Sequence, residues 1–378
     1  MMPSAGHPTS PSSALTSPSP TLTPNLMQSA AQKVGAARPF QGAMLTRSRW
    51  CAVLGVLVLL SVMLAIVCLQ LGTQYISVRQ IIGLLSSALF GTASEPDALR
   101  TTGVILLQVR LPRVFLGFLV GSCLAAVGVA LQALLRNPLA DPYVLGASGG
   151  AAVGALGSLL AGVAGLWIDV GAFTGALSAT LLVFGLAHGD GSWTRTRLLL
   201  TGVIVAAGCG AAVALMLSIA PEGRVKGMLF WLMGDASGVS NPWPALGVLA
   251  VGLVTALPFA RELNLLARGE VTALALGVRV GRLRGLVYGL GALLTAAAVT
   301  TLGSVGFIGL IVPHLVRLVI GNDQRLLLPA ASLAGGVLLT LADTAARTVV
   351  APVQLPVGVL TALIGVPVFL FLLARHPR

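Results

Sequence analysis

Charge is what this 378-residue chain has least of: 9% of its residues are charged, against roughly 25% in soluble domains. That scarcity, with 56% hydrophobic residues and a mean hydropathy of +0.95, excludes an ordinary soluble domain and predicts a polytopic, all-α membrane protein. Lysine is scarcer still. Only Lys33 and Lys226 occur, followed by Val34 and Gly227, so the GxxxxGK[ST] loop that would cradle a nucleotide is missing and the chain has no ATPase site of its own. Acids are almost absent from the apolar runs, which argues against a carrier that moves protons or ions through intramembrane carboxylates. The four cysteines form no CxxC pair and lie within apolar runs, where they read as small buried residues. The four histidines show no metal spacing, and His314, beside Pro313, reads as structural. No nucleophile, base and orienting group stand together, so catalysis is not expected, and neither a metal nor a cofactor is expected on this chain. The net charge of +12 comes without interleaved aromatics, which make up 5% of residues, so it indicates membrane topology and not nucleic acid.

Glycine is plentiful, at 46 residues, which suits close packing of helices in lipid. Residues 1–45 are rich in Pro, Ser and Thr without hydrophobic periodicity and are expected to form a disordered cytoplasmic tail, or to precede a later start at Met44. No secretory signal is read ahead of the first long apolar run. The transmembrane body is then 46–378. Hydropathy and length place spans at 50–72, 112–135, 144–163, 170–187, 198–219, 243–260, 285–303, 306–320, 326–345 and 356–374, ten in all. Two apolar stretches are too short to cross, 76–90 and 221–234, and are expected on the external face. Sorting Arg and Lys across this arrangement puts the excess, and both termini, in the cytoplasm.

The one charge-dense loop, 261–284 (RELNLLARGEVTALALGVRVGRLR), reads as two short helices separated by Gly269 and stopped at Gly277, with Glu262 and Glu270 at their N-terminal ends. Helices of about seven residues are marginal in water, since nucleation needs roughly 12 to 15 residues to be offset. Leu263, Leu265, Leu266, Leu274 and Leu276 therefore offer a face to the membrane body or to another protein. At the opposite side of the membrane, RLPR (110–113) reads as a helix opening whose Pro112 fixes the first turn. Arg110 and Arg113, three apart, either snorkel to water or bind external acidic groups. Asp343 and Arg347 stand at i and i+4, where an ion pair is available as structure or as part of a binding site.

Three long segments, 110–151, 263–277 and 303–365, resemble the FecCD-type permeases, the membrane subunits of ABC importers for ferric siderophores, haem and vitamin B12. The resemblance covers nearly everything after residue 50. It implies a type II ABC importer permease architecture in the bacterial inner (plasma) membrane, working as a homodimer or with a similar permease. Two separate ATP-binding subunits using ATP and Mg would sit below, and a periplasmic or lipid-anchored substrate-binding protein would dock outside. By the same resemblance Leu263, Asn264, Gly269, Glu270, Leu276 and Gly277 belong to the coupling helices that meet the ATPase. Arg110, Arg113 and Arg347 match arginines that receive glutamates of the binding protein, Asn137 and Leu139 match a cytoplasmic gate, and 221–234 matches a short helix near the external mouth. Arg195 beside Thr196 departs from the small hydroxyl residues of the vitamin B12 permease at a second constriction, so no gate role is carried to that loop. The function implied is ATP-driven import of a ferric siderophore, or of cobalamin or haem, by alternating access. The rival reading is a stand-alone secondary transporter or channel for a small solute.

Overall fold

The computed structural model describes residues 47–72, 74–90, 97–187, 195–234 and 242–375. The tail at 1–45, the Met44 start and the loop 188–194 lie outside them. The described residues are helices and connections, with no strand among them. In chain order the helices are α1 (Arg47–Gln70), α2 (Val78–Phe90), α3 (Asp97–Val104), α4 (Leu111–Leu135), α5 (Ala147–Leu160), α6 (Leu166–Ala187), α7 (Arg195–Ile219) and α8 (Glu222–Met233). Then follow α9 (Trp243–Ala256), α10 (Ala260–Ala267), α11 (Glu270–Ala275), α12 (Val280–Leu302), α13 (Ile308–Ile320), α14 (Gln324–Thr348) and α15 (Val357–Arg375). Seven stretches are long and apolar enough to cross a membrane, and α5, α13 and α15 are shorter apolar helices. Together they are the ten spans that hydropathy places.

The second span differs from its expected form. RLPR does not open a helix, because the chain is already helical from Asp97 through a six-residue π turn, Ile105–Arg110, into α4. Pro112 has no N–H to give to the preceding turn, and its ring crowds that turn's carbonyls. The widened π turn just before it, in which Leu111 N–H donates to Leu106 O, absorbs the misfit without ending the helix.

α4 is the axis of the molecule. It is buried along most of its length and packs against α14, α12, α13, α9 and α10. Its small residues let neighbouring backbones come close: a Cβ added at Gly121 would run into the carbonyl oxygen of Gly335 on α14, and one at Gly128 into that of Gly309 on α13. Without a hydrophobic drive between helices in lipid, this backbone-to-backbone approach is the main source of packing energy. By contrast α1 and α7 bury little, leaving Val56, Leu59, Leu200, Val203, Ile204 and Leu215 exposed for lipid or another chain.

Two apolar helices are short, α5 at 14 residues and α13 at 13, and each follows a break in the chain. α4 ends with Arg136 in the left-handed conformation and Asn137 N–H bonded back to Gln132 O, followed by Pro138. A 3-10 turn, Pro142–Leu145, folds the corner back inward until the Tyr143 hydroxyl accepts the Val305 N–H at 3.1 Å, and α5 starts only at Ala147. α13 starts after a break at 303–307, with Phe307 at φ +70, a backbone conformation rare for an aromatic residue. Gly365 of α15 leaves the room this needs, since a Cβ there would lie 2.7 Å from Phe307.

Candidate functional site

At the external end of α4 the three arginines face inward, not toward water. Arg110 is 4% exposed; its Nη1 donates to Leu69 O and Gln70 O at 2.8 and 3.2 Å, and its Nη2 donates to Gln74 O. It caps the C-terminus of α1, where orphan carbonyls and the negative end of the helix dipole favour a cation. Arg113, 7% exposed, donates from Nε to both carboxylate oxygens of Asp343 at 3.0 Å and from Nη2 to Oδ1 at 2.9 Å, while Nη1 reaches Gln354 Oε1 at 3.0 Å. Arg347 Nε stands 3.3 Å from the second oxygen of Asp343, an ion contact without hydrogen-bond geometry, and its Nη2 donates to Thr344 Oγ1. The expected i,i+4 pair therefore exists, but its acid is shared with Arg113. Two buried guanidiniums on one carboxylate leave a local excess of positive charge.

At the cytoplasmic end, the segment after α9 forms the two short helices that its glycines suggest. Glu262 and Glu270 lie in the first turns of α10 and α11. Gly269 (φ 138, ψ 145) and Gly277 (φ 81) take conformations that only glycine adopts readily, and Val278 N–H closes the end of α11 on Ala273 O. The leucines divide between two faces. Leu263 and Leu266, with Ala273, are buried against the membrane body, whereas Val271, Leu274 and Leu276 are exposed by 82%, 56% and 61%. Val271 is the most prominent apolar group on this surface, and nothing in its β-branched side chain signals in the sequence which way it faces.

Polar contacts fasten each short helix to a long one. Asn264 Nδ2 donates to Asp323 Oδ1 at 2.8 Å and Asn264 Oδ1 accepts Gln324 N–H at 2.9 Å, tying α10 to the capped N-terminus of α14. Arg284 Nη2 donates to Glu270 Oε2 at 2.7 Å, tying α11 to α12. α12 and α14 both pack on α4, so the segment is connected through them to the most buried helix.

At the same end of α4 as this segment lies the corner carrying Asn137 and Leu139. Asn137 Oδ1 accepts Leu139 N–H at 2.9 Å, an Asx turn that holds the half-exposed Leu139 at the tip. Arg195 and Thr196 open α7, away from this corner in sequence. A residue that sequence reading passes over stands directly above: Gln132, 3% exposed, the one amide in the apolar run of α4. A lone amide in a spanning helix is the available signal.

On the external side α8 is seated by Arg224, whose Nη1 donates to Leu159 O and Leu160 O at the end of α5. The residue that ends α8, Gly234, accepts Val357 N–H from the start of α15.

The chain is similar to known proteins over most of its length. A model of the FecCD transport family matches residues 57–375. The chain is 41% identical over 334 residues to the hemin transport system permease protein HmuU of Yersinia pestis, covering 85% of this chain and 95% of that one. It is 44% identical over 279 residues to the cobalamin import system permease protein BtuC of Halobacterium salinarum, covering 72% and 74%. Among solved structures, a transporter assigned to the metal-chelate ABC type, in an inward-facing conformation, superposes with a TM-score of 0.75 at 31% identity, over 86% of this chain and 99% of that one.

Proposed function

Because the chain belongs to the FecCD transport family, we propose that it is the membrane-spanning permease of an ATP-driven importer that moves a metal chelate inward by alternating access. The observation that carries this reading is the cytoplasmic segment 260–284, buried on one face against α4, α12 and α14 and apolar on the other through Val271, Leu274 and Leu276. A chain without a nucleotide site needs such a surface to receive work from a separate ATPase. In this proposal Leu263, Asn264, Gly269, Glu270, Leu276 and Gly277 form the joint, two ATP-binding subunits supply hydrolysis with ATP and Mg, and Asn137 and Leu139 gate the cytoplasmic side.

Two copies of the chain, or this chain and a similar permease, would enclose the pathway between them. The uncovered apolar flanks of α7 and α15, on which Val203, Ile204, Leu363 and Ile364 are exposed, suit such a pairing. A substrate-binding protein would dock outside through carboxylates directed at Arg110, Arg113 and Arg347. Arg347 is the least engaged of the three: it donates to Thr344 and meets Asp343 without hydrogen-bond geometry, whereas Arg110 is held by α1 carbonyls and Arg113 by three hydrogen bonds to Asp343. The location would be the inner (plasma) membrane. The cargo would be a ferric siderophore, or a corrinoid or haem as the names of the relatives suggest. Reconstitution in proteoliposomes with and without the ATPase tests the reading: uptake of cyanocobalamin, haem or a ferric siderophore should require ATP and the ATPase. Uptake that follows an ion gradient with the ATPase absent would replace it with a stand-alone transporter.

A further inference from the structure

Gln132 occupies a position that satisfies more than one requirement of the fold, and the geometry around it is over-subscribed. Pro313 in α13 has no N–H, so the carbonyl of Gly309, four residues back, lacks its helical donor. At membrane depth an orphan carbonyl must find a donor within the protein. Gln132 Nε2 supplies it, lying 3.4 Å from Gly309 O and 3.2 Å from Leu310 O. The same nitrogen lies 3.4 Å from Ala140 O, in the corner that carries Asn137 and Leu139. Its Oε1 accepts Arg317 Nη2 at 3.0 Å, which fixes which end of the amide is the donor. Three carbonyls thus compete for two N–H groups, two of them on α13 and one on the corner.

We propose that Gln132 is a positioning residue for transport: it ties the corner to α13 in one state and yields the corner to a second state by giving both its N–H groups to Gly309 and Leu310. The proposal rests on the alternating-access reading above. Its physical content is a choice between two nearly equal hydrogen-bond arrangements, which is what a bistable element requires. Gly128 packs closely on Gly309 and holds α13 against α4, and Pro142 of the corner packs on the same glycine, so in the proposal the corner shifts against a fixed α13. The hydrogen-bonded link between Gln132 and the corner runs through Ala140 O and through Asn137 N–H on Gln132 O.

Amide hydrogen exchange over 136–146, measured in the reconstituted complex with its ATPase in nucleotide-free and vanadate-trapped forms, tests this directly. In the unaltered complex the exchange should change by about fivefold, the population shift that one net hydrogen bond supports. In Gln132→Met the difference should vanish, since the corner loses its side-chain tie in both forms and keeps in both the backbone bond from Asn137 N–H to the carbonyl of residue 132. A second variant, Gln132→Met with Pro313→Ala, gives Gly309 O its helical donor back. It should restore stability in detergent while leaving the corner unresponsive. An equal response in Gln132→Met, or a response restored by Pro313→Ala, would overturn the proposal by reducing Gln132 to a cap for α13. A corner that ignores nucleotide in the unaltered, ATPase-bound complex would overturn the alternating-access reading together with it.

Discussion

Arg113 and Asp343, 230 positions apart in sequence, meet through three hydrogen bonds of 2.9 to 3.0 Å and join α4 to α14 at the external end of the molecule. The pair is buried on both sides and carries Arg347 and Gln354 with it. Charges removed from water at this depth are tolerated only because each has a partner.

Replacing Asp343 with Leu should therefore leave two buried cations without an anion and cost about 3–5 kcal/mol. Thermal unfolding in detergent measures it. Combining it with Arg113→Met should recover part of the loss, because an apolar pair of similar volume replaces the ionic one; an additive loss would count against the pairing.

Gly335→Leu should prevent α14 from reaching α4, since a Cβ alone would already meet Ala125 Cβ at 2.5 Å. Overpacking of this kind costs about 1–3 kcal/mol or more, and the expected result is a loss of monodisperse protein on size-exclusion chromatography. Gly83→Leu, on α2 where nothing stands in the way of a side chain, should be tolerated.

Val271→Asp and Leu274→Asp should each weaken capture of the ATPase by about thirtyfold, the effect of a hot spot of about 2 kcal/mol. The thermal midpoint of the isolated permease should stay where it is, because both side chains are exposed. Leu263→Asp should do the reverse and destabilise the permease, its side chain being 1% exposed. Titration of the ATPase against detergent-solubilised permease separates the two outcomes.

Arg347→Glu should weaken docking of the substrate-binding protein by about thirtyfold or more, as loss of a desolvated charge contact does. Arg110→Glu makes a poor test of docking, since it removes the donors to Leu69, Gln70 and Gln74 and should loosen the end of α1 first. Surface binding measurements with Arg347→Lys as the conservative control check the first expectation, and protease sensitivity near residue 70 checks the second.

Much of the fold is legible in the sequence because crossing a membrane imposes length and hydropathy on a segment whatever it packs against. Thus hydropathy places a span at 198–219 where the helix is Arg195–Ile219, and one at 306–320 where it is Ile308–Ile320. The two short cytoplasmic helices are legible for another reason: Gly269 and Gly277 mark positive φ locally. What is not legible depends on partners distant in sequence. Pro112 reads as a helix start when the π turn before it is unseen. Arg110 and Arg113 read as water-facing because their acceptors, the end of α1 and Asp343, come from other helices. Leu263 and Val271 are both apolar, and only packing against α4 and its neighbours distinguishes the buried one from the exposed one.

The placing of the starts of α5 and α13 has an electrical consequence. Each begins on a buried residue, Ala147 or Ile308, so the N–H groups of its first turn, and with them the positive end of its dipole, lie within the protein. Two such ends near the break at 303–307 and the corner at 142–146 raise the potential in the interior of the protein without adding a titratable group. A cation brought near those ends would meet an electrostatic barrier of the kind that half-helix ends set up in water channels.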